Sequence, residues 1–116
     1  MRPCLALAAV AFMATATPVL ADGAALYAGR CGRCHALDRG GIGPSHAGLV
    51  GRKAGKLPGF AYSPALAAAD FTWTPEAIDR WLINPQAMLP GAKMYFRVAN
   101  PAERQAIIAY LAAQKP

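Results

Sequence analysis

The chain has 116 residues, 55% of them hydrophobic, and its 12 Lys and Arg against six Asp and Glu give a formal net charge of +6 at pH 7. That length fits one domain and excludes a two-domain enzyme. The basic balance points to acidic partners or anionic surfaces, while the scatter of Lys and Arg along the chain, with no recognition module, argues against nucleic acid.

Residues 1–21 read as a secretory signal peptide: Arg2 supplies the positive start, 4–20 form an apolar run, and Val19-Leu20-Ala21 is a small-residue cleavage site. Thr15, Thr17 and Pro18 interrupt the run, which falls short of the roughly 20 residues of a spanning helix, so cleavage after Ala21 is favoured over a retained anchor. Removing 21 of 116 residues leaves a domain of 95, residues 22–116, and losing Arg2 lowers the net charge from +6 to +5. Of the three cysteines, Cys4 departs with the leader, and Cys31 and Cys34 remain. The expected location is the periplasm, an exported, oxidising compartment, with no membrane insertion after cleavage.

Asp22 can cap a first helix with Leu26, Tyr27, Arg30 and Cys31 at helical spacing and Gly32 as its stop. Residues 40–59 then hold seven Gly and two Pro, a density that breaks helix and strand alike and predicts a long irregular loop. Ser63-Pro64 opens a further helix. Thr74-Pro75-Glu76 opens another, which buries Ile78, Trp81 and Leu82 and ends at Asn84-Pro85. The last helix starts at Asn100-Pro101, with Glu103 placed as in a capping box and Ile107, Ile108, Tyr110 and Leu111 on its buried side. No run alternates as a strand does. The expected fold is all-α, short helices joined by long loops. So much irregular backbone in 95 residues implies a core completed by a bound group.

Cys31-Gly32-Arg33-Cys34-His35 supplies such a group: it is the Cys-x-x-Cys-His pattern of c-type haem attachment. Two cysteines three apart near a helix end can form thioethers to both vinyls of one porphyrin, and the adjacent imidazole then points at the iron. Three other chemistries use the same residues. A redox dithiol at Cys31 and Cys34 wants a neighbouring βαβ pattern, which is missing. Zinc on Cys31, Cys34, His35 and His46 requires consecutive ligands on one tetrahedron and an irregular second spacing. A plain Cys31–Cys34 disulfide closes too small a loop to stabilise much.

A sixth ligand would come from Met88 or Met94, the two methionines of residues 22–116. Met94 sits in Pro90-Gly91-Ala92-Lys93-Met94, a turn able to hold a thioether in place, whereas Met88 has no such frame. A His and Met pair saturates the iron, which favours electron transfer over catalysis.

With these motifs in order, residues 22–116 resemble the class I cytochrome c family. The resemblance implies a class I cytochrome c-like fold around one covalent haem c, with Cys31 and Cys34 as the thioether residues, His35 as the proximal ligand and Met94 as the distal one. Gly43-Pro44 matches the turn whose proline carbonyl takes the Nδ1 proton of the proximal histidine. Tyr62 and Trp73 match positions that close over the propionates, Arg52 continues the proline loop with a charge suited to pairing with a propionate, and Gly23, Tyr27, Ile107 and Tyr110 match the crossing of the first and last helices.

Three residues depart from the family pattern. Trp81 replaces a tyrosine that bonds the methionine sulfur, so that bond must come from an indole N–H or be lost. His46 stands where a leucine usually packs, and Ala92 lacks a hydroxyl often found beside a propionate. The resemblance implies an exported, monomeric, non-enzymatic electron carrier between redox proteins with acidic docking surfaces. Lys53, Lys56, Lys93 and Arg97 are expected near the haem edge. The alternatives are a dedicated haem subunit of a periplasmic dehydrogenase, separated by copurification, and a haem enzyme such as a peroxidase, separated by an open iron site.

Overall fold

In a computed structural model the described residues are 9–14 and 18–116, with the backbone alone described at 18–21. Of the leader expected at 1–21, residues 1–8 and 15–17 lie outside them. The helices are α1 (Pro18–Arg30), α2 (Pro64–Ala67), α3 (Pro75–Ile83), α4 (Pro85–Met88) and α5 (Pro101–Ala112). Each begins with a proline, whose fixed φ suits the first turn and whose missing N–H costs nothing there.

Capping side chains fix four of these starts. Ser63 Oγ accepts from the Leu66 amide at 3.1 Å and Thr74 Oγ1 from Ala77 at 3.1 Å. Asn100 Oδ1 accepts from Ala102 at 2.8 Å and from Glu103 at 3.2 Å. Asn84 closes α3 through its own amide, yet its side chain accepts from the Ala87 amide at 3.2 Å and so opens α4. The sequence marks Asn84-Pro85 as a helix stop and gives no sign of that one-turn helix.

Two further expectations need correction. Asp22 does not cap α1, which begins four residues earlier because Pro18 suits a first turn and residues 19–21 contain no breaker. Glu103 does not complete a capping box either. Its carboxylate instead meets Arg30 Nη2 at 3.0 Å, tying the end of α1 to the start of α5, where the helix dipoles favour a cation and an anion respectively.

The core forms where α1 crosses α5 and α3 packs beside them. Gly23 is required at the crossing, because a Cβ there would strike the Ala106 carbonyl. Tyr27 and Tyr110 rings meet at 5.2 Å across the same junction. Ile107 and Val98 are wholly buried, with Ile78, Leu82, Ile108 and Leu111 close behind, each worth about 1.5–3 kcal/mol of transfer free energy. Arg104 is buried among them, and its charge is met by Asp79 at 2.7 Å and by the Val98 and Ala99 carbonyls at 3.0 and 2.9 Å. It thereby binds α5 to α3 and to the segment that follows Met94.

The glycine-rich loop is irregular but pinned. His46 and Ala47 amides bond the Ala36 and Leu37 carbonyls, Gly48 bonds Gln114, and Gly51 and Ala54 bond Trp73 and Phe71, all between 2.9 and 3.1 Å. The described residues contain no strand; one isolated antiparallel bridge joins Lys53 and Thr72. The helices therefore supply a frame, and the loops wrap what lies inside it.

Candidate functional site

A pocket of about 590 Å³ opens in the middle of this frame. All nine residues expected at a cofactor site line it: Cys31, Cys34, His35, Pro44, Arg52, Tyr62, Trp73, Trp81 and Met94. They come from the turn after α1, the glycine-rich loop, the segments on either side of α2, α3 and the loop after α4, so 63 positions of sequence separation close onto one cavity.

The end of α1 sets the Cys-x-x-Cys-His geometry. Cys31 and Gly32 amides return to the Tyr27 carbonyl, and Cys34 and His35 amides return to the Cys31 carbonyl at 3.1 and 2.9 Å, coiling the pentapeptide into a tight turn. Both thiols are free, Cys31 half-buried and Cys34 exposed, and burial pushes the Cys31 thiol up to about 11, which keeps it protonated near neutral pH. His35 Nδ1 lies 2.9 Å from the Pro44 carbonyl, which fixes the tautomer with its proton on Nδ1 and its lone pair on Nε2. Burial lowers the His35 pKa, against a smaller opposing effect of the Pro44 bond, so the ring stays neutral and able to ligate. Gly43 makes room for it: a Cβ at that position would overlap the imidazole.

His46 does not face His35 across the cavity. The two rings stack with centroids 3.9 Å apart and planes 20° from parallel. Its Nδ1 lies 3.1 Å from the Tyr27 hydroxyl. Burial, then the nearby His35 and Arg52, push its pKa down to about 3, while burial pushes Tyr27 up to about 12; both are neutral under ordinary conditions. The polar pair thus sits behind His35 as a satisfied packing unit. Among the described residues no three His, Cys, Asp or Glu side chains converge as a metal ion would require, so the zinc arrangement of Cys31, Cys34, His35 and His46 is not formed.

Met94 lies in the pocket wall, and the Trp81 indole N–H donates to its Sδ at 3.1 Å. The bond left open by the loss of a tyrosine is therefore made by an indole. Trp73 stands edge-on to Trp81 at 5.3 Å, and Phe71 edge-on to Trp73 at 4.9 Å, which locks this aromatic wall. Met88 packs against the hydrophobic core instead and does not line the pocket. Arg52 donates to the Ser45 carbonyl at 2.7 Å, and Phe60 meets Tyr62 at 4.9 Å on the same rim.

Much of the remaining lining is apolar, including Leu49, Leu66, Ile78, Leu82, Ile107 and Leu111. Helical periodicity marks four of these as core, but nothing in it says that they face a cavity. Of the expected edge cations, Lys93 borders the pocket. Lys53 instead approaches Asp70 at 3.5 Å and Lys56 donates to the Ala67 carbonyl; neither lines the pocket, and nor does Arg97. Arg30 and Arg33, which the sequence does not single out for this role, border it as well. Gln86 was also missed, since its carboxamide bonds are made to backbone five to eight residues on.

The donor set fits a covalently held haem: two free thiols three apart, a neutral imidazole with a fixed tautomer, and a thioether held by an indole, all on one largely apolar pocket. The class this defines is a c-type cytochrome. Comparison with known proteins agrees. The cytochrome c family model matches residues 20–115. Cytochrome c2 iso-2 of Magnetospirillum fulvum is 44% identical over 86 residues, covering 72% of this chain and 90% of that protein. Cytochrome c2 of Rhodomicrobium vannielii is 42% identical over 89 residues, covering 73% and 71%. Among solved structures, cytochrome cH from Methylobacterium extorquens superposes with a TM-score of 0.78 at 36% identity, covering 82% of this chain and 98% of that one. Ferricytochrome c2 from Rhodopseudomonas palustris gives 0.76 at 34% identity, covering 83% and 98%.

The chain belongs to the cytochrome c family, with its all-α fold and a single covalently bound haem c. It transfers electrons between redox partners.

Proposed function

We propose that Cys31 and Cys34 carry the haem thioethers, that His35 Nε2 and Met94 Sδ are the axial ligands, and that residues 22–116 act as a soluble periplasmic carrier and not as an enzyme. The carrying observation is that both ligand side chains line one pocket and each is oriented by a partner, His35 by Pro44 and Met94 by Trp81. When bound, the haem supplies a one-electron Fe(II)/Fe(III) couple. The chain's part is to hold both ligands through the redox cycle, to exclude water with the apolar lining, and to keep reorganisation small. A saturated site also leaves no position for peroxide or oxygen, which is the reason for reading the protein as a carrier. Arg52, Tyr62 and Trp73 offer polar atoms for the propionates on the same pocket. Visible spectra of exported protein in both redox states, together with an intact mass, test attachment and ligation; colourless protein from cells competent in haem attachment would overturn the proposal.

The proposal includes removal of residues 1–21. Cleavage after Ala21 would leave Asp22 at the head of the remaining α1, where the helix dipole favours an acidic side chain. Among the described residues no helix is long and apolar enough to cross a membrane.

Trp81→Phe is expected to lower the reduction midpoint. An N–H donated to the thioether withdraws electron density from the sulfur and so favours the ferrous state; removing it favours the ferric one. A net hydrogen bond of about 1 kcal/mol corresponds to roughly 40 mV for one electron, so the fall should be on the order of 10–40 mV. Spectroelectrochemical titration measures it, and an unchanged or raised midpoint contradicts the assignment.

Lys93 is exposed beside the pocket mouth with Arg33, a placement suited to steering an acidic redox partner. Lys93→Glu should slow second-order electron transfer with such a partner several-fold at low ionic strength, the difference vanishing as salt rises. Equal rates for the two proteins at low salt would remove Lys93 from the docking face.

A further inference from the structure

The loop that carries Met94 is irregular from residue 89 to residue 100 and surfaces immediately after the methionine, with Tyr95 and Phe96 exposed. Such a segment has little secondary structure to hold it, so its position rests on specific bonds. The Trp81 indole holds the Met94 side chain, but the Met94 backbone needs a hold of its own.

Gln86 in α4 provides it. Its Nε2 donates to the Ala92 carbonyl at 2.6 Å and to the Met94 carbonyl at 2.9 Å, while its Oε1 accepts from the Gly91 amide at 3.4 Å. Only one orientation of the carboxamide satisfies all three, because two carbonyls require a donor nitrogen and the Gly91 amide requires an oxygen. α4 in turn is anchored by buried Pro85 and by the Asn84 cap. A capped helical turn thus reaches across to the irregular segment and clasps it on either side of Lys93.

We propose that Gln86 is the positioning residue of the methionine loop, setting how often Met94 leaves its place and an external ligand can enter. This rests on the reading of Met94 as an axial ligand. Gln86→Glu keeps the length and shape of the side chain but turns oxygens toward the two carbonyls, and Gln86→Ala removes the clasp outright.

The test uses imidazole added to the ferric holoprotein, with stopped-flow association rates and the methionine-to-ferric-iron charge-transfer absorption as readouts. Both variants should bind imidazole at least about tenfold faster than the parent, Gln86→Glu losing the two bonds donated to carbonyls and Gln86→Ala all three, each of ordinary net strength. Before imidazole is added, both should show a weakened charge-transfer absorption, a signature that loss of global stability alone would not produce in folded protein. Rates within twofold of the parent in the folded variants overturn the proposal; should Gln86→Glu fail to fold, Gln86→Ala decides it alone. Met94→Ala is run beside them. If Met94→Ala binds fast and the parent slowly while the Gln86 variants match the parent, Gln86 is not the clasp though Met94 is the ligand. If Met94→Ala and the parent bind equally fast, the ligand reading itself fails and the clasp falls with it.

Discussion

Met94→Ala is expected to lower the reduction midpoint by on the order of 0.1 V, within the roughly 0.8 V range that axial ligation controls. A thioether is a soft, weakly donating ligand that favours ferrous iron, and water in its place favours ferric. The same change should let the ferrous protein bind carbon monoxide rapidly at neutral pH, which Met94, held by the Trp81 indole, would prevent as the proposed ligand. The loss is not compensated by Met88, which packs in the core at the end of α4. Carbon monoxide binding to the parent as fast as to the variant would show that Met94 does not fill the site.

The second large effect is on folding. Cys31→Ala with Cys34→Ala removes both sulfurs that can tether the haem, and the exported product should lack the haem mass and show no cooperative thermal transition. The magnitude follows from the pocket. Leaving a cavity near 590 Å³ unfilled costs on the order of 10 kcal/mol at about 24 cal/mol per Å³, comparable with the 5–15 kcal/mol that stabilise a whole small domain. The helices cannot absorb this, because α2 and α4 are single turns of four residues and α1 and α5 touch mainly each other. A double variant that is exported without haem and still unfolds at the parent's midpoint would show that the polypeptide core suffices alone.

Local chemistry made most of the frame legible. Capping residues followed by proline, at Ser63, Thr74 and Asn100, announce helices because their bonds close within three residues. The same locality explains the errors. Asn84 could end one helix and begin another, and sequence offers no way to see both roles. Glu103 had two stabilising options of similar kind, its own cap or Arg30, and only the approach of α1 to α5 selects between them. Lys53 and Lys56 lie in the right loop for the haem edge, yet they turn toward Asp70 and the Ala67 carbonyl, partners that the fold and not the spacing delivers.

By itself the sequence determined the chemistry: Cys31, Cys34 and His35 are adjacent enough that any helix end presents them together, and the glycine-rich stretch of 40–59 requires something to wrap. Tertiary structure alone decided how the proposed ligands are held. The indole on Met94, the carboxamide of Gln86 on its loop, and the His46 ring stacked on His35 join residues from different segments. No residue-level preference encodes such pairings, because a hydrogen bond or a stacked ring depends on where two separately folded pieces of backbone come to rest.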